Sequence, residues 1–252
     1  MDNSLFDVVK NGYQCLTIPR SGRYRFEVIG ASWIDKYPRV RIIGEVWLEK
    51  GEKVIFALGQ RGNRADCGNG GTFVVKEGCI SNPQPLFVAA GAGASDSYYS
   101  EVFSKASLSQ TASGNGEIGS SGVQEFHERM KSNFFCGGAG FLKGPVTEVL
   151  RKDSVAPKSY KDGLIGGKAI DYNGKLTEGG FGGGGAYYYK NGYRYLGAGG
   201  GYTGGGTKID GWNCIGGGGG SFSIDKEAQF DHVWGRYLQD GGECTVTVTY
   251  LD

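Results

Sequence analysis

Twenty glycines lie between Gly179 and Gly220, in runs such as Gly182-Gly183-Gly184-Gly185 and Gly216-Gly217-Gly218-Gly219-Gly220. This density constrains the fold more than any other feature of the chain. Ordering a glycine costs roughly 0.5–1 kcal/mol more than ordering alanine, so fixing the whole stretch costs on the order of 10–20 kcal/mol, comparable to the full stability of a domain. Two readings meet that cost. In the first the runs stay unordered, as flexible linkers. In the second they form polyglycine helices of the three-residue, left-handed extended kind, whose N–H and C=O groups have no internal partners and must be satisfied by neighbouring helices. Close lateral packing of that sort requires the absence of side chains. The residues between the runs, among them Phe181, Tyr187, Tyr188, Tyr189, Tyr193, Tyr195, Tyr202, Trp212 and Cys214, are core formers and not the Ser and Gln of a solvated linker.

Outside this stretch the pattern is β. In Arg23-Tyr24-Arg25-Phe26-Glu27-Val28 apolar residues alternate with charges, the period of a half-buried strand. The Cys244 to Tyr250 segment alternates Cys, Val, Val and Tyr with Thr. Shorter apolar runs at Arg39 to Ile43, Glu45 to Leu48, Lys53 to Leu58, Thr72 to Val75 and Pro85 to Ala90 are separated by Gly or Pro, and several short strands at such spacing predict an antiparallel β-sandwich. The whole chain, residues 1–252, reads as one composite domain. Residues 12–94 and 221–252 form the sandwich, 95–135 a polar, serine-rich excursion over the surface, and 136–220 the glycine-rich insertion. Strands from opposite ends of the chain thus share the sandwich, and the middle is a large insertion into it.

Lys and Arg total 27 against 26 Asp and Glu, a balance that argues against nucleic acid, which requires a basic face. No apolar run approaches the ~20 residues of a membrane span. The first residues carry neither a charged nor an apolar leader segment, so no signal peptide is expected in this sequence. Six widely spaced cysteines, Cys15, Cys67, Cys79, Cys136, Cys214 and Cys244, include no C-x-x-C pair and offer no zinc knuckle. They read either as three disulfides of an oxidising compartment or as buried thiols. The disulfide reading pairs Cys15 with Cys244, Cys67 with Cys79 and Cys136 with Cys214.

The motifs in order resemble a known family. Cys15-Leu16-Thr17-Ile18-Pro19-Arg20-Ser21-Gly22-Arg23-Tyr24-Arg25-Phe26, then Ile55-Phe56-Ala57-Leu58-Gly59-Gln60-Arg61-Gly62, then Pro85-Leu86-Phe87-Val88-Ala89-Ala90-Gly91-Ala92-Gly93, followed by Gly137-Gly138-Ala139-Gly140-Phe141 and the later glycine runs, are similar to the extracellular glycine-rich domain of the anaplastic lymphoma kinase and leukocyte tyrosine kinase receptors. The resemblance spans about Gly12 to Tyr250. It implies a jelly-roll sandwich of the tumour-necrosis-factor kind carrying an inserted bundle of polyglycine II helices. It also implies binding of a secreted protein ligand in an extracellular setting. No kinase motif and no membrane span accompany it here.

No catalytic constellation emerges. Gly199-x-Gly201-x-x-Gly204 matches the dinucleotide fingerprint without its strand–helix context. His127 and His232 have no nucleophile motif nearby. The expectation is therefore a non-enzymatic recognition or adhesion module without cofactor or metal, binding a protein ligand or a cell-surface glycan. A phage-type or microbial tip adhesin, or a secreted protein that self-associates into a structure, are the alternatives. Asn191-Gly192 makes a tight hairpin of the flanking residues, and Tyr187, Tyr188, Tyr189, Tyr193, Arg194 and Tyr195 form the candidate contact surface. Because these tyrosines occupy both parities, some are expected to face outward; otherwise they cap the glycine region as a miniature core. A second Asn-Gly hairpin, Ile170 to Leu176, is expected beside it.

Overall fold

The structure, a computed structural model, describes residues 6–9, 12–33, 37–77, 83–95, 101–114, 117–122, 134–145, 154–190, 192–234 and 244–252. It is mostly β-sheet, with 4% helix. Six strands form one antiparallel sheet in the order β1 (Phe6–Val9), β2 (Tyr13–Thr17), β5 (Lys53–Ala57), β6 (Thr72–Lys76), β7 (Gln84–Ala89) and β14 (Phe222–Ser223). Four more form a second, in the order β15 (Gln229–Val233), β4 (Arg39–Leu48), β3 (Gly22–Ile29) and β16 (Val246–Tyr250). The first and last strands lie in different sheets, whereas the two segments with the clearest alternation in the sequence, β3 and β16, pair directly, with Phe26 opposite Val248.

Alternation explains which faces meet. In β3, Tyr24, Phe26 and Val28 are buried while Arg23 and Arg25 are exposed. Side chains from both sheets share one core, in which the Phe26 ring lies 5.3 Å from Phe87 and 6.5 Å from Phe56. The outer face of the four-stranded sheet is charged and cross-paired: Arg25 Nη2 meets Glu45 Oε1 at 2.8 Å and Arg41 Nη2 meets Asp231 Oδ2 at 2.5 Å, each pair directly opposite in register. The sequence suggests a break at Gly44, but β4 runs straight through it. A Cβ there would stand 2.5 Å from the Phe87 ring, so the glycine makes room for core packing and no turn forms.

The six-stranded sheet is covered on both sides. Thr72, Phe73, Val74 and Val75 are all buried, because the face turned away from the sandwich core carries a second, aromatic layer. There Phe73, Phe141 and Tyr160 meet with centroids 4.9–6.4 Å apart, and Tyr202 stacks on Phe222 at 4.5 Å. Phe141, Phe181 and Tyr202 each interrupt or end a glycine run, so the rings pin those runs to the sheet.

Beyond this layer, backbone meets backbone. Gly68 donates to Gly185 O (2.8 Å), Gly185 to Ala198 O (2.8 Å) and Ala198 to Cys136 O (2.7 Å). Gly199 donates to Gly217 O (2.8 Å), and Gly219 to Gly91 O (3.0 Å), whose own N–H reaches Gly200 O (2.9 Å). Each segment therefore satisfies its neighbours, as buried peptide groups must. The layer also takes in the 68–71 and 91–94 segments, which the sequence places with the sandwich. The described part of the serine-rich region borders this layer. Within it, α1 (Glu101–Ser104) leads into a stretch that edges the glycine runs: Ser107 donates to Gly219 O, Ser113 to Gly218 O, and Phe103 O accepts from Gly218. Outer carbonyls and amides of the glycine layer need partners, and this segment supplies some of them. The chain leaves the sheet after β7 and re-enters it as β14, hydrogen-bonded to β7 with Phe222 opposite Val88.

The glycine identity is sterically enforced. A Cβ on Gly70 would fall inside the Phe181 carbonyl oxygen, and one on Gly180 inside that of Gln60. Gly174, in the turn between β8 (Lys168–Ile170) and β9 (Leu176–Glu178), has φ 74° and nothing within 4 Å of a built Cβ. Gly70→Ala is therefore expected to destabilise by about 3 kcal/mol or more, since a backbone carbonyl cannot rotate aside. Gly174→Ala is expected to cost only ~1–2 kcal/mol, the left-handed strain alone. Urea unfolding of the two variants checks the difference.

His232 on β15 fastens the serine-rich segment to the sandwich. Its Nε2 lies 2.9 Å from Ala106 O, so Nε2 carries the proton and donates. Burial lowers its pKa, with Lys105 adding to the effect and the Ala106 bond and Asp231 opposing it. A folded-state pKa below the ordinary 6.5 means that its contribution is complete above that value and is lost as pH falls through the folded pKa. Stability measured by urea unfolding is expected to drop between pH 7.5 and 5.5, and to drop less in His232→Gln.

Candidate functional site

The hairpins that project from the glycine layer form their own small sheet. β10 (Tyr188–Lys190) and β11 (Tyr193–Tyr195) pair with Tyr188 opposite Tyr195, and the chain reverses at Gly192 with φ 85°. β11 continues in parallel to β13 (Asn213–Gly216), which pairs with β12 (Thr207–Asp210). The β8–β9 hairpin lies alongside: the Tyr172 N–H donates to Tyr189 O at 3.3 Å. Asp171 holds its turn, accepting from the Asn173 and Lys175 N–H groups, both at 2.9 Å.

Both faces of the tyrosine strands are covered, which corrects the parity argument. Tyr188 and Tyr195 sink into a core with Phe135, Cys136, Ala169, Ala186 and Cys214, whereas Tyr187 joins Cys67, Ala94, Leu196 and Ile215 on the other side. Tyr187, Tyr188 and Tyr195 are 0–5% exposed and belong to the miniature core, not to a surface. Tyr189, partly buried, packs on the second of these clusters. Tyr189, Tyr193 and Arg194 of the expected surface remain accessible, each in part. Tyr187 is flanked by two guanidinium groups, Arg64 at 5.0 Å and Arg194 at 5.8 Å from its centroid. Asp66 joins those arginines, 3.6 Å from Arg64 and 3.3 Å from Arg194, and Asp171 lies 3.4 Å from Arg64. Burial raises the Tyr187 pKa, against the lowering effect of Arg194, so the ring stays a neutral phenol between the two cations.

What stands exposed is a different set. Trp212, at the Gly211 turn of β12–β13, is 71% exposed and its ring lies 5.5 Å from Tyr193. Tyr172 is 69% exposed, and Leu176 and Ile170 flank it on the β8–β9 hairpin. The sequence signals for these residues were the Asp210-Gly211 and Asn173-Gly174 turns, which place their neighbours at hairpin tips.

The three expected disulfides are not formed among the described residues. Cys15, Cys67, Cys136 and Cys214 are buried thiols and Cys244 is half-buried. Cys15 sits on β2 opposite Ile55 in the six-stranded sheet, while Cys244 precedes β16 in the other sheet, so the premise of adjacent terminal strands fails. Cys79 lies outside the described residues. Cys136 and Cys214 do come together, in the core beneath Tyr188 and Tyr195, as small apolar side chains. Burial first, then the nearby sulfurs of Cys214 and Cys67, pushes the Cys136 thiol well above its ordinary range, and burial brings Cys67 to about 11.

Among the described residues no helix is long and apolar enough to cross a membrane, and no cluster of three or more His, Cys, Asp or Glu could hold a metal ion. Iodoacetamide at pH 7.5 is expected to leave Cys67 and Cys136 unmodified in the folded protein and to label both in denaturant. Mass spectrometry of tryptic fragments reads this directly, and the melting temperature is expected to be unchanged by reductant. No protein-family model matches the chain, and no curated protein matches it in sequence.

Proposed function

We propose that the chain is a non-enzymatic extracellular recognition module whose contact surface is the pair of hairpin tips carrying Tyr193, Trp212 and Tyr172. In this reading the two sheets are a jelly roll, and the glycine layer between β7 and β14 is a bundle of polyglycine II helices, as the resemblance to the receptor glycine-rich domains implies. Support for the bundle comes from the inter-segment hydrogen bonds and from backbone spacing that excludes a Cβ. The ligand class is a protein surface.

The observation that carries the functional reading is the Tyr193–Trp212 pair. Tyr193 is anchored on the Tyr188–Tyr195 core and holds the exposed Trp212 ring beside it, and Trp and Tyr on a rigid base are the residues that dominate protein interfaces. The base here is rigid: β10 and β11 stand on two buried clusters, and the Arg64–Asp66–Arg194 network braces Tyr187 beneath them. The same exposed rings favour self-association as the second reading.

Size-exclusion chromatography with light scattering, followed by binding of the labelled protein to intact cells, separates the two. A monomer that labels cells is expected, with Trp212→Ala lowering affinity by roughly 2 kcal/mol or more, as for an interface hot spot. An oligomer that Trp212→Ala dissociates would replace the proposal with self-assembly.

A further inference from the structure

A cavity of about 510 Å³ opens where the loop after β5 passes the end of β3, lined by Trp33, Leu58, Gly59, Gln60, Arg61 and Cys244. Its size falls in the range of small-molecule sites. None of these residues belongs to the hairpin tips, so this site is independent of the surface proposed above.

The lining is unbalanced in its hydrogen-bonding groups. Arg61 extends over the Trp33 ring, its guanidinium carbon 5.3 Å from the centroid, and among the described residues no carboxylate lies within ion-pair distance of it. Arg64 and Arg194 are matched by Asp66 and Asp171, and Lys168 by Glu178. Among the described residues the Trp33 indole Nε1, shielded from solvent, has no acceptor. Stacking on an aromatic face fixes the plane of a guanidinium while leaving its edge open, and that edge matches a carboxylate with two parallel hydrogen bonds.

The loop backbone says what the rest of the ligand is not. Gln60 donates its N–H to Phe181 O at 2.8 Å and accepts from Gly70 at 2.9 Å, so at this residue both backbone groups are already engaged and cannot pair with an extended peptide. The volume far exceeds a carboxylate group alone. Beside Arg61 there remain the apolar walls of Leu58 and Trp33 and the amide side chain of Gln60, a mixture suited to a hydroxylated ring.

We propose that this cavity binds the carboxylate of an acidic sugar, with Arg61 as the anion-binding residue and Gln60 as a hydroxyl partner. The test is a titration of the full isotopically labelled chain, followed by NMR, with glucuronate, glucose and N-acetylglutamate amide. Glucuronate is expected to shift the Gln60 and Arg61 amides saturably, and glucose to bind at least roughly tenfold more weakly, because a charged hydrogen-bond pair is lost. Arg61→Gln, an exposed substitution that leaves the fold unchanged by the remaining amide spectrum, is expected to weaken glucuronate by a similar factor. Arg61→Lys, which keeps the charge without the fork, is expected to fall between. Absence of saturable shifts, equal binding of glucose, or indifference to Arg61→Gln would overturn the site. Tighter binding of N-acetylglutamate amide than of glucuronate would overturn its assignment to a sugar. Trp212→Ala is expected to leave the titration unchanged, so failure here is distinct from failure of the hairpin surface.

Discussion

The structure depends on one constraint: peptide groups removed from water must find partners even where no side chain and no regular ladder is present. Glycine answers it by letting main chains approach until N–H and C=O of different segments meet directly. The exchange from Gly68 through Gly185 and Ala198 to Cys136 shows how far this propagates. Four separated stretches of sequence are held by bonds that no side chain mediates. Because the interaction is lateral and non-local, no segment of the layer is stable alone, and the entropy of ordering it is offset only when all of them assemble.

That cooperativity explains the aromatic sheet beneath. A layer made of backbone offers little apolar area, so its attachment to the sandwich comes from the rings spaced along it. Phe141, Tyr160, Phe181 and Tyr202 cover the outer face of β6 and β7, burying a face that an ordinary two-layer sandwich would expose to water. The same division of labour recurs at the hairpins, where Tyr188 and Tyr195 fill one side of a four-stranded sheet and Tyr187 the other.

Much of this was legible in the sequence. Period-two alternation located β3 and β16, and the apolar runs located β5, β6 and β7. The Asn-Gly dipeptide at Asn191-Gly192 signalled the tyrosine hairpin. Three things were not legible, each for a physical reason. Gly44 looks like a turn because local sequence cannot reveal the Phe87 ring arriving from another sheet. The tyrosines at both parities look like an exposed face because alternation predicts one solvated side, which fails when a sheet is covered twice. Cysteine number suggests bridges, yet Cys15 lies in one sheet and Cys244 leads into a strand of the other, and only topology shows that. The cavity beside Trp33 depends on residues 33, 58–62 and 244 meeting, a juxtaposition with no sequence signature.

The return of the chain to β7 as β14 has a mechanical consequence. The residues between these two strands begin and end one strand spacing apart, about 4.8 Å, so tension applied between the two ends of the chain runs through the sandwich ladders and bypasses them. They carry no load until the β7–β14 pairing parts. A scaffold tethered at its ends could thus be stretched without disturbing the loops it presents, and its most densely cross-bonded region would be the last to feel the pull.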